Sequence, residues 1–346
     1  MSPNRTRYHT GDPVIDAQLN ELLDALDVRE NRDQIKEILT SVALLADDDT
    51  DRLNLKITNS ALKEMRLAFK VFEPFKDVPK VTMFGSARTL PDDPLYAQAR
   101  NLGAAMAAEG WMVVTGAGPG IMAAGVEGAG VDKSIGINIR LPFEQEPSRL
   151  IAADPKLVDM KYFFTRKLML MKESAGFAVL PGGFGTLDEA FELLTLLQTG
   201  KAAPAPVVML DVPGGTYWAS WDRFVREELA TRGLIDVNDH SFYLITDDVE
   251  VASNEIRGFY RNFHSVRYVG ATLVIRMQRP PSEAQLERLN RDFADICVRD
   301  GIELTEPLPA EVSTDDQLDL ARIKLLFDKH HHARLRELIN AINAED

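Results

Sequence analysis

The sequence predicts an α/β fold: a Rossmann-like, doubly wound parallel sheet with a helical N-terminal extension and a small C-terminal α+β unit. Three observations predict it. From Lys80 to about residue 262, short apolar runs alternate with helix-length stretches, the pattern of βαβ units. Val207-Val208-Met209-Leu210 is apolar throughout, as a strand covered on both faces should be. Gly85, Gly116 and Gly182 each closely follow such a run. That places all three beyond the carboxyl ends of parallel strands, where open α/β sheets bind their ligands.

Residues 1–78 read as the extension. Val14, Leu19, Leu22, Leu23 and Leu26, then Ile35, Ile38, Leu39 and Val42, recur at helical spacing. An acidic break, Ala46 to Asp51, follows, and then a segment with Leu62, Met65, Phe69 and Phe72 along one face. Pro74 and Pro79 end it. Residues 79–263 form the main domain. Its expected strands are 80–84, 111–115, 134–139, 176–180, 207–211 and 241–245, with helices such as 94–109 and 217–231 between them.

Residues 264–346 form the C-terminal unit. A strand at Ala271 to Met277 breaks at Arg279-Pro280-Pro281; a helix is expected over 282–299, a short strand at Gly301 to Leu304, and a long amphipathic helix from about 315 to 343. On that helix His330, His331 and His332 diverge by about 100° each, so they read as a solvated face rather than a metal site.

Composition narrows the function classes. The chain has 346 residues, 45% of them hydrophobic, enough for a substantial core. Its net charge of −14 disfavours nonspecific nucleic-acid binding and anionic membrane surfaces. The single cysteine, Cys297, allows no intramolecular disulfide and reads as a small buried hydrophobe. No apolar run is long enough to span a bilayer, and Met1 to Thr10 is too polar for a secretory signal, so a cytoplasmic location is expected.

The stretch with the most chemistry is Pro181-Gly182-Gly183-Phe184-Gly185-Thr186-Leu187-Asp188-Glu189. It joins an apolar strand, Gly176 to Leu180, to a helix carrying Phe191, Leu193, Leu194, Leu196 and Leu197. Glycines let backbone N–H groups approach a phosphate, and the helix N-terminus adds free donors and partial positive charge. Thr186 is expected at the N-cap, or donating to a phosphate oxygen, with Glu189 in the first turn. Asp188 diverges around the helix and ranks below Glu189. Gly116-Ala117-Gly118-Pro119-Gly120 also follows a strand. It fails as a dinucleotide fingerprint: the third glycine would fall on Ile121, and the next strand ends in Arg140 instead of an acid. A nucleotide-phosphate or ribose cradle fits it better. Arg166 and Lys167 lie early in the helix before the signature strand, and a guanidinium can pair a phosphate bidentately.

Arg166-Lys167 followed by Pro181-Gly182-Gly183-x-Gly185-Thr186-x-x-Glu189 resembles the paired signature of the LOG family. Gly116 to Met122 is similar to that family's first glycine loop, and Phe84-Gly85-Ser86-Ala87-Arg88 to the first strand end of its bacterial members. The family holds cytokinin-activating phosphoribohydrolases and nucleotide 5′-monophosphate nucleosidases, and some members have been labelled lysine decarboxylases. The resemblance implies hydrolysis of the N-glycosidic bond of a nucleoside 5′-monophosphate, with Glu189 and Arg166 as the catalytic pair. Substrate contacts would come from Gly182, Gly183, Gly185, Thr186, Gly116, Gly118, Gly120, Ser86, Arg88 and Lys167. No metal or cofactor is expected, and the assembly would be a homodimer or a higher even oligomer. A non-catalytic nucleotide or cofactor carrier on the same fold stays open as the alternative. The resemblance departs at three positions: Ala117 stands for a glycine, Ala123 for a glutamate and Val126 for an asparagine.

Overall fold

The computed structural model describes residues 9–141 and 147–344; Met1 to Tyr8 of the polar N-terminus lie outside them. The chain divides into two compact units, Met1–Glu64 and Met65–Asp346.

In the first unit, α1 (Pro13–Ala25) starts at Asp12, whose carboxylate accepts the Val14 N–H at 2.7 Å, with Pro13 pre-set in the first turn. α2 (Arg32–Asp47) packs against α1. Helical periodicity here was legible, but burial was not: Leu23 is buried, whereas Val14, Leu22, Leu26, Ile35, Ile38 and Val42 are exposed. The division between units falls within α3 (Arg52–Phe72). Its buried stripe is Ala61, Glu64, Ala68 and Phe72; the expected face residues Leu62 and Phe69 are exposed.

The second unit is built on seven strands: β1 (Lys80–Phe84), β2 (Met112–Thr115), β3 (Ser134–Ile139), β4 (Leu157–Met160), β5 (Gly176–Val179), β6 (Val207–Leu210) and β7 (Tyr243–Thr246). All pair in parallel, in the order β4-β3-β2-β1-β5-β6-β7. This is the Rossmann-like doubly wound sheet, with its reversal of strand order between β1 and β5. Helices α4 (Pro94–Ala108), α5 (Ile121–Ala129), α6 (Phe163–Lys172), α7 (Phe184–Gln198), α8 (Tyr217–Phe224) and α9 (Val249–Gly258) connect the strands. Side-chain alternation splits the core into two layers. Val207 and Met209 join Phe177, Val179, Trp218 and Leu193 on one face. Val208 and Leu210 join Val81, Met83, Leu102 and Ile256 on the other. The expected helix over 217–231 is α8 continued by a π-helical segment, Val225–Ala230.

The C-terminal part is a second, antiparallel sheet: β8 (Phe263–Val269), β9 (Thr272–Met277), β10 (Glu303–Leu304) and β11 (Ala321–Leu325), in the order β10-β11-β9-β8. Three helices complete it: α10 (Glu283–Asp292), the single turn α11 (Pro309–Val312) and α12 (His332–Asn343). The helix expected over 282–299 stops at Asp292. The long helix expected from 315 does not form. Ala321 to Leu325 alternates Arg322 and Lys324 with Ile323 and Leu325, a period of two, and pairs along β9 with Ile323 opposite Ile275. Only His332–Asn343 is helical there. His330 and His331 therefore precede the helix and are exposed, in line with the solvated-face reading; His332 departs from it, half-buried with its ring edge-on to Phe327 at 5.2 Å. Cys297 is half-buried against the core of this sheet. α12 packs back on the main sheet through buried Arg336, which donates to the Ala205 carbonyl, pairs with Glu255 and stacks over Phe259. Among the described residues no helix is long and apolar enough to cross a membrane.

Candidate functional site

The three strands β2, β1 and β5 are neighbours, so the loops after Thr115, Phe84 and Val179 converge on one edge of the sheet, at the reversal point. Backbone bonds lock the loops together. Ser86 N–H donates to the Pro181 carbonyl at 3.3 Å, and the Ser86 carbonyl accepts from Ile121 N–H at 3.0 Å. Gly120 is required by both conformation and contact: its φ is +66°, and a Cβ there would lie 2.3 Å from the Ser86 carbonyl oxygen.

α7 begins one turn earlier than its sequence suggests. Gly183 is the N-cap, so Thr186 is in the first turn rather than at the cap, and Glu189 in the second rather than the first. The capping-box reading fails because Gly183 already has extended backbone and no side chain competes for the cap. The consequence is open donors: the N–H groups of Phe184, Gly185 and Thr186 have no backbone acceptor among the described residues. Added Cβ atoms on Gly183 or Gly185 would meet nothing within 4 Å. Gly182 differs: a Cβ there would lie 2.2 Å from Thr186 Oγ1, and its carbonyl accepts from the Tyr217 hydroxyl at 2.7 Å. Phe184 projects from the same loop with 95% of its surface exposed.

Glu189 and Arg166 lie within electrostatic reach of each other. Arg166 is half-buried; its Nε donates to the Ile137 carbonyl at 2.9 Å and its Nη2 to the Gly116 carbonyl at 3.2 Å. Gly116 makes room for it, since a Cβ would lie 2.0 Å from Nη2. Burial lowers the Arg166 guanidinium below its ordinary value, against the opposing charge of Glu189. Glu189 is buried, and its Oε2 has no hydrogen-bond partner. Burial pushes its carboxyl up to about 7, against the attraction of Lys167 and Arg166 and with the repulsion of Asp188 and Glu192.

Lys167 is buried too, and its ammonium is shared: 2.6 Å from Asp188 Oδ2 and 2.7 Å from Glu192 Oε2. Burial pulls it down, but those bonds and the nearby Glu189 charge outweigh burial and leave it above its ordinary value. Gly118 packs over Met122, where a Cβ would lie 2.6 Å from the methyl carbon. Ser86 Oγ accepts the Arg88 N–H at 3.0 Å, and the Arg88 side chain is exposed. Val126 is buried in a small apolar cluster with Ala117 and Ile151. Two cavities, of about 110 and 210 Å³, lie elsewhere, the first lined in part by Asn262 and Arg279, the second by Val225 and His240.

Sequence reading overlooked Tyr217 as an anchor of the signature loop, and Asp188 and Glu192 as partners of Lys167. That Asp188 and Glu192 share a face was legible, since positions i and i+4 of one helix do; that Lys167 reaches that face was not.

A family model described as "Possible lysine decarboxylase" matches residues 119–256. Among solved structures, the molybdenum cofactor binding protein of Rippkaea orientalis is 21% identical with a TM-score of 0.36, covering 52% of this chain and 96% of that one. The molybdenum cofactor carrier protein of Chlamydomonas reinhardtii gives the same four values. DNA processing protein A of Helicobacter pylori is 14% identical, TM-score 0.37, with 52% and 80% covered. The comparison with curated proteins found no match. The matched residues contain both halves of the motif pair, Arg166-Lys167 and Pro181 to Glu189, and over 119–256 the chain is similar to the LOG family.

Proposed function

We propose that this protein hydrolyses the N-glycosidic bond of a nucleoside 5′-monophosphate, of the AMP or cytokinin riboside monophosphate type, to free base and ribose 5-phosphate. One observation carries the reading: a buried carboxyl with an unpartnered oxygen, Glu189, within electrostatic reach of Arg166, stands on a helix whose first N–H groups are open. The N-terminus of α7 and the bare backbone at Gly183 and Gly185 suit the 5′-phosphate, held remote from the bond that breaks. Its binding energy then positions the ribose. Cleavage builds an oxocarbenium-like ribose, and Glu189 is the group placed to act on it or on its water. Arg166 orients the nucleotide or assists the departing base, with Ser86, Arg88 and the Gly116–Gly120 loop along the rim. The reaction needs no metal or cofactor, and the working form is a homodimer or a higher even oligomer.

Incubation with a panel of nucleoside monophosphates tests this, with free base and ribose 5-phosphate as readouts. Release of both from at least one nucleotide is expected. Nucleotide recovered intact from a protein that binds it would overturn hydrolysis in favour of a carrier.

A further inference from the structure

Two cations lie within electrostatic reach of Glu189, and both are already engaged. The Arg166 guanidinium is hydrogen-bonded to the carbonyls of Ile137 and Gly116. The Lys167 ammonium sits between Asp188 and Glu192. The two carboxylates hold the ammonium on their own side, and burial comes first in raising the Glu189 carboxyl, ahead of its attraction to Lys167 and Arg166 and the repulsion of Asp188 and Glu192. Among the described residues the charges that act on Glu189 are Lys167 and Arg166 on α6 and Asp188 and Glu192 on α7. Among the described residues Glu189 Oε2 has no donor to stabilise a negative charge.

We infer that Lys167, Asp188 and Glu192 form a charge clamp that keeps Glu189 as a neutral carboxylic acid in the free site, and that Glu189 therefore enters the reaction as a proton donor to the departing base. The direction of proton transfer rests on the nucleotidase reading above; the clamp does not. The incoming phosphate is an anion and can only reinforce protonation. As the C1′–N bond breaks, its electron pair goes to the base, which takes the Glu189 proton. The carboxylate so formed faces the ribose cation. Water adds to C1′, and the proton it releases returns to Glu189. Atoms balance as nucleotide plus water giving base plus ribose 5-phosphate. Lys167 is thus a positioning residue that acts through Asp188 and Glu192.

The clamp is tested without substrate. The infrared difference between the unaltered protein and Glu189→Gln at pH 6 should contain a carboxylic-acid C=O band that vanishes as pH rises through about 7. In Asp188→Asn/Glu192→Gln the freed ammonium turns to Glu189, and the band should vanish at least one pH unit lower. Glu189→Ala replaces Glu189→Gln as the reference if the latter does not fold. No band at pH 6, or an unmoved titration in the double variant, overturns the clamp. The donor role is read from kcat against pH: activity should fall on the alkaline side, and in the double variant that limb should move to lower pH. An activity that instead rises through about pH 7 overturns the donor role, with the carboxylate as the working form. Protein that shows the band and its shift yet cleaves no nucleotide leaves the clamp standing and rejects the nucleotidase reading and the donor role together.

Discussion

The two glycine loops at the sheet edge have similar sequences and different reasons for their glycines. In Gly116–Gly120 the protein itself fills the space: Arg166 and Met122 against Gly116, Met122 against Gly118, and the Ser86 and Ala87 backbone against Gly120. In the signature loop, Gly182 is crowded by Thr186, but Gly183 and Gly185 face open space at negative or helical φ. Neither conformation nor packing demands a glycine at those two positions. The first loop is glycine-rich to assemble the site; the second is bare where a ligand's phosphate can sit against the backbone.

The largest effect concerns the phosphate. If the bare loop cradles it, a nucleoside loses several charge-assisted hydrogen bonds relative to its monophosphate. At roughly 1.5–3 kcal/mol each, kcat/KM should drop on the order of 10²–10⁴-fold. Arg166→Ala should cost more on the monophosphate than on the nucleoside if Arg166 touches the phosphate. Comparable kcat/KM for adenosine and AMP would remove the cradle and with it the contrast between the loops.

Next is Glu189→Gln. Turnover should fall on the order of 10²-fold or more with nucleotide binding retained, measured by kcat and by calorimetry. Stability should move the other way. The Glu189 carboxyl lies at about 7 in the folded protein against an ordinary 4.5, so between those values the native state holds a proton that the unfolded chain has lost. Native stability therefore falls as pH rises through that window. Glutamine has no proton to lose, so denaturant melts at pH 8 should show the variant more stable by about 1–3 kcal/mol, with the difference gone near pH 4.5. A variant less stable than the parent at pH 8 would mean that an ionised Glu189 is satisfied in the fold.

Two alanine substitutions then separate the loops. Gly116→Ala drives a Cβ into Arg166 and Met122, so the guanidinium must leave the Ile137 carbonyl; about 1–3 kcal/mol of stability and most activity should go. Gly185→Ala meets nothing and lies within α7, where alanine is the better helix former, so stability should rise by about 0.5–1 kcal/mol. Its affinity for AMP should nevertheless fall. Unchanged AMP affinity in Gly185→Ala would mean the loop is open for some other reason.

Most of this contrast was beyond the sequence. Strand-turn-helix order, period-two strands and apolar runs made β1 to β3 and β5 to β7 legible within a residue or two. β4 was missed because it is an edge strand with alternating polarity, Leu157-Val158-Asp159-Met160, without the continuous apolar run of the central strands. β11 was missed because the helical pattern of 332–343 was extended backwards through a period-two run. At the site, the family resemblance paired Arg166 with Glu189, but nothing in the sequence showed that Lys167 points to Asp188 and Glu192. That pairing depends on how α6 packs on α7. The one-turn error in the start of α7 has a local cause: Thr186 is a better cap by composition than Gly183, and tertiary context chose the glycine.

The smallest effect sits beside Gly116. Ala117 adopts φ +58°, a left-handed conformation that costs an L-residue roughly 1–2 kcal/mol, and the family's first loop has glycine there. Glycine would relieve that strain. Ala117 is also fully buried, with Val126 and Ile151, and its methyl is worth about 0.8 kcal/mol. The unfolded chain would regain about 0.4–1 kcal/mol of entropy on losing the methyl. These opposed quantities nearly cancel, so Ala117→Gly should change stability by less than about 0.5 kcal/mol, and turnover little. Ala117→Val adds a β-branch to a left-handed residue in a closed cluster and should cost more than about 2 kcal/mol. Adjacent positions then show opposite tolerance: a methyl is rejected at 116 by the Arg166 guanidinium and carried at 117 by apolar packing. Urea melts of both variants decide it. A loss above about 2 kcal/mol in Ala117→Gly would show that the Val126–Ile151 cluster, and not backbone conformation, sets the shape of the first loop.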